Sequence, residues 1–398
     1  MYLTNIPTQN MKQATLLLFL WLATLPLAAQ DGAKSSFALG ADISWYSQMA
    51  DEGYQFAADG QATTCPKMLK AYGLTAARLR VWVNPQNGYN GLDDVVAKAK
   101  AIAAEGLDVM VDFHCSDTWA DPGQQTVPGA WAQDDLEALK THLAGHVTDV
   151  MKALLAEGVR PRWAQIGNET NNGLLWDTGK ASDNPQQYAQ LVEAGYQAVK
   201  AACPETQVIV HLSNGFDQGL FDWNLGLLAN NDAHFDLIGM SLYPGNDNQT
   251  AAIVNAAVEN IRHLRATFGK QVMVVEVGLP VNADAEGKTL MKDILTKAAQ
   301  QTDSACAGVF YWEPEAFSGW NHYQMGAATV SGNTVRFNAT MDAFRETADL
   351  LSIGGIPASA PSSPTAVYDL QGRPAPAERP GLHIVRQADG HTVKTLQR

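Results

Sequence analysis

The chain has 398 residues, 46% hydrophobic and 17% charged, an ordinary globular composition with ample material for a large core. Its 41 acidic residues outnumber its 27 basic ones, for a formal charge of −14. Phosphate backbones attract clustered Lys and Arg, so this balance excludes nucleic acid as a partner and weighs against strongly anionic substrates.

Near the N-terminus, "MKQATLLLFLWLATLPLAAQ" (11–30) places Lys12 ahead of an apolar run at 16–22, then small residues before Asp31. That order predicts a secretory signal over 1–30, with Met11 a candidate start, and the run is too short to span a membrane. A secreted or periplasmic protein is expected, with the cell surface as a further destination and no transmembrane segment. Cys65, Cys115, Cys203 and Cys306 are widely spaced without a C-x-x-C pair, which predicts mostly buried free thiols rather than a disulfide framework or zinc site.

Between 31 and 351, eight apolar, β-branched-rich runs recur. They are "FALGADIS" (37–44), "AARLRVWV" (76–83), "LDVMVDFHC" (107–115), "RWAQIGNE" (162–169), "QVIVHLSN" (207–214), "FDLIGMSLYP" (235–244), "QVMVVEVGLP" (271–280) and "AGVFYWEPE" (307–315). Near-continuous apolar runs suit strands buried on both faces, as in a parallel sheet. Helix-period stretches lie between most of them, such as 91–106, stopped by Gly106, and 186–204, stopped by Pro204. Eight such units predict an α/β fold, the (β/α)8 TIM barrel. A doubly wound open sheet is disfavoured by the count and by the lack of G-x-G-x-x-G after the first strand. Residues 352–366, rich in Pro, Ser, Gly and Ala, read as a linker. The tail, 367–398, holds two strand-like pieces, near 367–370 and 383–386, with "DG" (389–390) as a turn signal. It resembles the C-terminal tails of exported bacterial proteins, some of which act as sorting signals; an accessory segment is the equal alternative.

A TIM barrel carries its chemistry at the C-terminal ends of its strands. Those ends read Asp42, Arg80 with Trp82, His114 with Asp117, Asn168 with Glu169, Asn214, Tyr243, Glu276, and Trp312 with Glu313. Glu169 closes the fourth strand and Glu276 lies in the seventh, which face each other across a barrel mouth. Glycoside hydrolysis needs two such carboxyls, one to protonate the leaving oxygen and one to attack the sugar or activate water. A single strand-end Glu is more often a salt-bridge partner, but a pair flanked by Asn, Tyr and Trp points to catalysis. Arg80 is the candidate to keep Glu276 ionised, with Tyr243 donating to the same carboxylate, and Asn168 suits a sugar hydroxyl. Indole rings pack against the apolar face of a sugar, making Trp119, Trp312 and Trp320 the candidate platforms, with Trp163 and Trp223 structural. Asp42, His114 and Asp217 complete the candidate sugar contacts. A metal hydrolase is a rival, but it needs a His-x-His pair where this chain has His114 alone and His211 on another strand.

These stretches are similar to a known family. From about 37 to 345 the chain resembles glycoside hydrolase family 53, the arabinogalactan endo-β-1,4-galactanases, through "GADIS", "ARLRVWVNP", "VDFHCSDTWADPGQQTVPGAW", "QIGNETNNGLLW", "FDLIGMSLYP" and "VMVVEVGLP". The resemblance implies a retaining enzyme with Glu169 as acid/base and Glu276 as nucleophile, acting on neutral β-1,4-galactan side chains of pectin. Cys115 and Leu242 stand where the family usually has Tyr, and the loop after the seventh strand (281–289) is short, so no calcium is expected. Neither metal nor cofactor is expected, and the chain is expected to act as a monomer. A related β-1,4-mannanase or glucanase and a non-catalytic sugar-binding barrel remain alternatives, since fold alone does not fix function.

Overall fold

Strands that are apolar on both faces must be covered on both faces, and here a ring of helices outside and a packed interior do so. The computed structural model describes residues 37–245, 249–353, 366–368, 381–386 and 392–397. The signal segment and nearly all of the linker lie outside the described residues. The chain opens with β1 (Ala38–Asp42), α1 (Tyr46–Asp51), the hairpin β2 (Gln55–Ala58) and β3 (Gln61–Thr63), and α2 (Cys65–Ala71). Strand–helix units follow: β4 (Ala76–Val81) and α3 (Leu92–Ala104), β5 (Asp108–Phe113) and α4 (Leu136–Ala156), β6 (Trp163–Ile166) and α5 (Pro185–Ala202). Next come β7 (Gln207–Leu212) and α6 (Gln218–Asn230), β8 (Leu237–Leu242) and α7 (Thr250–Phe268), β9 (Gln271–Val277) and α8 (Asp284–Gln300). After β10 (Cys306–Trp312) stand β11 (Ala328–Ser331), β12 (Thr334–Phe337) and α9 (Ala339–Ile353).

The eight predicted strands close into one parallel barrel in the order β1-β10-β9-β8-β7-β6-β5-β4. One apolar layer, including Leu79, Val111, Ile166 and Val274, faces the helices. A second, inside the barrel, includes Met110, Trp163, Ile209, Met273, Val275 and Phe310. Trp163 meets Phe310 edge to face at 5.9 Å, so the interior is a plug and not a pore. Gly40 is obligatory there, because a Cβ on it would lie 2.3 Å from the Phe310 ring.

Two elements depart from expectation. The hairpins β2–β3 and β11–β12 form a separate four-stranded sheet in which β12 pairs parallel with β2. Their strands are too short for periodicity to reveal, although Asp59 and Gly60, both at positive φ, are a hairpin turn visible in the sequence. The tail contains three strands, β13 (Ala366–Tyr368), β14 (Gly381–Arg386) and β15 (Thr392–Gln397), in an antiparallel sheet, where two pieces are expected. All four cysteines are buried and unbridged. Trp223, expected to be structural, is 42% exposed on α6. Among the described residues no helix is long and apolar enough to cross a membrane.

Candidate active site

The end of β6 is a forced turn. Gly167 takes φ +78°, and a Cβ on it would sit 2.4 Å from the Thr170 methyl, so only glycine fits. Glu169 follows at φ 45°. The turn brings Asn168 and Glu169 into the barrel mouth, where both line one cleft with Glu276. The Ser241 hydroxyl donates to Glu169 Oε1 at 2.6 Å. Behind it, His211 Nδ1 accepts from the Glu169 backbone N–H at 3.3 Å, so the ring hydrogen sits on Nε2 and donates to Ser241 Oγ at 2.8 Å. Burial and the Arg78 charge hold this imidazole neutral, its pKa well below the ordinary range. His211 is therefore the first donor of a chain ending on Glu169.

Glu276 reaches the same cleft by a bulge. Met240 pairs with Val274 but Ser241 pairs with Glu276, leaving Val275 as one extra residue in β9. Met273 and Val275 point into the barrel and Val277 outward, so Val275 and Glu276 both face inside, which strict alternation forbids. The Tyr243 hydroxyl donates to Glu276 Oε2 at 2.9 Å, and Arg78 Nη2 lies 3.0 Å from Oε1.

Arg78 is the electrostatic hub. Fully buried, it contacts Asp42 at 2.8 Å, Asp112 at 2.7 Å and the Asn168 side-chain oxygen at 3.0 Å. These carboxylates hold its pKa above even the usual guanidinium range despite burial. The sequence expectation that Arg80 serves Glu276 is corrected: Arg80 pairs with buried Glu313. Both arginines point inward from β4, two residues apart, and the deeper one meets the nucleophile candidate.

The two acids differ in surroundings. Burial, with repulsion from Glu276, pushes Glu169 up to about 8, against the opposing pull of Ser241 and Arg78. Burial also raises Glu276, but Arg78 and Tyr243 touch it directly and oppose the shift. With one proton between them, it resides on Glu169, which no cation among the described residues contacts.

The cleft, about 420 Å³, has an aromatic wall of Trp45, Trp119, Trp312 and Tyr323. A recess of about 550 Å³ adjoins it, sharing Trp45, Trp119 and Asn321. Of the expected site residues, Glu169, Glu276, His114, Trp119, Asn168, Tyr243 and Trp312 line the cleft. Four do not. Asp42 lies fully buried beneath it, bonded to Arg78 and Ser44. Arg80 is sealed below the indoles. Trp320 packs against Tyr54 at 5.6 Å and Phe317 at 5.9 Å. Asp217 caps α6, accepting from the Leu220 N–H at 3.1 Å. His114 accepts at Nδ1 from the Ala120 N–H and Trp82, so its Nε2–H donates to Asp112 at 3.0 Å; neither His114 nor His211 is arranged as one of a ligand pair. Arg78, Ser241, Tyr323, Asn321 and His322 are site members that strand-end reading misses.

The sequence pattern of the family described as "Glycosyl hydrolase family 53" matches residues 38–290. An "Arabinogalactan endo-beta-1,4-galactanase" from Thermothelomyces thermophilus is 32% identical over 319 residues, covering 74% of this chain and 93% of that protein. A "Probable arabinogalactan endo-beta-1,4-galactanase A" from Aspergillus fumigatus is 34% identical over 298 residues, covering 69% and 83%. Among solved structures, one of two fungal β-1,4-galactanases superposes with a TM-score of 0.69 at 28% identity, over 77% of this chain and 98% of that one. A family 53 catalytic domain from Ignisphaera aggregans shares the fold, with a TM-score of 0.70 at 24% identity, over 79% and 97%.

Proposed function

The chain belongs to glycosyl hydrolase family 53, and on that premise we propose that it is an exported endo-β-1,4-galactanase that works by double displacement, with retention at the sugar carbon. The observation that carries this reading is the unequal pair of carboxyls in one cleft. Glu169 holds a proton near neutral pH, and Glu276 meets a guanidinium and a phenol.

In the first step Glu169 donates its proton to the glycosidic oxygen while Glu276 attacks the anomeric carbon, giving a galactosyl ester on Glu276 and releasing the leaving chain. Arg78 and Tyr243 hold the attacking carboxylate in one orientation and stabilise its charge. In the second step Glu169, now ionised, takes a proton from water as it displaces the ester. The chain His211 → Ser241 → Glu169 fixes the carboxyl rotamer in both steps without supplying a charge. Asn168, anchored by donation to the Ala120 carbonyl at 2.8 Å, suits the hydroxyl next to the reacting carbon. The neutral galactan backbone fits a cleft walled by indoles, with no Lys or Arg among its described lining residues. Export rests on the charge, apolar run and small-residue exit at 11–30, and action as a monomer is part of the same reading.

The test is product analysis on β-1,4-galactan, β-1,4-mannan and carboxymethyl cellulose, with NMR of the first anomer released. Galactan alone should yield short oligosaccharides of retained configuration. Turnover only on the other two polymers would overturn the substrate, and an inverted first product would overturn the double displacement.

A further inference from the structure

Arg80 touches neither reacting carboxyl, yet it is fully buried at the floor of the cleft. Its Nη1 pairs with Glu313, while its Nε and Nη2 find no hydrogen-bond acceptor among the described residues. Around it stand four indoles, their rings 4.5 Å (Trp119), 5.1 Å (Trp45), 5.6 Å (Trp82) and 5.9 Å (Trp312) from the guanidinium carbon. A desolvated cation is drawn to the negative faces of aromatic rings, so the indoles stand in for the missing acceptors. The rings meet each other edge to face or tilted: Trp82 and Trp119 at 5.3 Å, Trp45 and Trp312 at 5.2 Å, Trp45 and Trp119 at 6.0 Å. Glu313 ties this cage to the backbone, its second oxygen accepting from the Trp45 N–H at 3.1 Å. Beside it, burial and repulsion from Glu313 hold the Glu315 carboxyl well above its usual range, so the two acids together present one negative charge to Arg80.

Trp45 and Trp119 are also the boundary shared by the catalytic cleft and the adjoining recess. We propose that Arg80, clamped by Glu313, is a positioning residue that holds Trp45 and Trp119 as one rigid ridge, and that this ridge sets how long a sugar chain the cleft grips. The inference rests on the galactanase reading for its substrate, but the cage itself is testable without sugar.

The decisive variant is Arg80→Met/Glu313→Gln, which removes both buried charges and so avoids stranding one of them. If Arg80 served only to neutralise Glu313, the double variant would behave as wild type. If it organises the indoles, the near-UV circular dichroism of the tryptophans should weaken with the far-UV spectrum intact. KM should then rise about tenfold on galactohexaose, the scale of a lost desolvated cation–π contact, with a smaller rise on galactotriose and a smaller change in kcat. Wild-type KM, or equal losses on the two lengths, overturns the proposal. Should the double variant fail to fold, Trp119→Phe must show the same bias towards the longer chain, and its absence has the same force. Wild-type protein inactive on galactan would instead strike the substrate reading, leaving the near-UV comparison to decide the cage: an unchanged signal refutes it.

Discussion

Glu169→Gln should abolish turnover and yet make the protein more stable, by an amount that depends on pH. The wild-type carboxyl ionises at 4.5 in an unfolded chain and is pushed up to about 8 in the cleft. Between those values the native state keeps a proton that the unfolded state has released, so stability falls as pH rises, and the loss is complete above about 8. Each pH unit of the interval is worth about 1.4 kcal/mol, which sets a ceiling of about 5 kcal/mol. Glu169 is only partly buried, and cleft water lowers this to roughly 2–3 kcal/mol. Gln has nearly the same shape and nothing to ionise, so it escapes the loss. For a barrel of this size that is an increase in Tm of about 3–4 °C at pH 8, shrinking towards zero at pH 4.5. Paired thermal melts from pH 4 to 9 would measure it. A difference that is flat with pH, or that grows on acidification, would refute the assignment of the shared proton. In the wild type, kcat/KM on galactan should show an alkaline limb near pH 8, belonging to the coupled pair.

Further outcomes follow from the same geometry. Glu276→Ala should lower turnover by ~10⁴-fold, with partial recovery in azide as the small anion enters the vacated space; turnover within about tenfold of wild type would exclude Glu276 as nucleophile. Tyr243→Phe removes a donor that lowers the Glu276 pKa, so its acid limb should move to higher pH, and kcat should fall roughly 10–100-fold; an unmoved limb would argue against that hydrogen bond. Arg78→Met strands the buried carboxylates of Asp42, Asp112 and Glu276, which should cost about 3–5 kcal/mol in urea unfolding. Asp217→Ala should cost about 1 kcal/mol through the lost cap of α6 and leave kcat/KM on galactan unchanged; a fall in kcat/KM would return Asp217 to the site.

The eight barrel strands were legible in the sequence because burial on both faces writes a continuous apolar run, and their ends followed within a few residues. The short hairpins of the second sheet were not, since three or four residues cannot display a period. Within the site, strand ends pointed to Glu169, Glu276, Asn168, Tyr243 and Trp312 as residues at the barrel mouth, where the cleft contains them. Depth was the missing quantity. Arg78 and Arg80 share a strand face, and only three-dimensional packing decides which lies level with Glu276 and which lies under the indoles. Asp217 and Trp320 stand in the right loops, but one bonds its own helix and the other packs on neighbouring aromatics. Ser241 and His211 read as strand interior because their importance lies in relayed hydrogen bonds, which leave no pattern along the chain.

The added residue at Val275 has a bearing on how this strand tolerates change. Met273 and Val275 face inward by ordinary alternation, and Glu276 does so because the bulge resets the phase, so this kink decides which way the carboxylate points. Deleting Val275 would set Glu276 directly after outward-facing Val274, where ordinary alternation keeps its carboxylate inside; a regular ladder that paired Val275 with Ser241 would turn it towards the helices. Redesign of β9 must therefore keep the bulge wherever it keeps the extra residue, because a regular strand of the same length would present Val275 in place of Glu276.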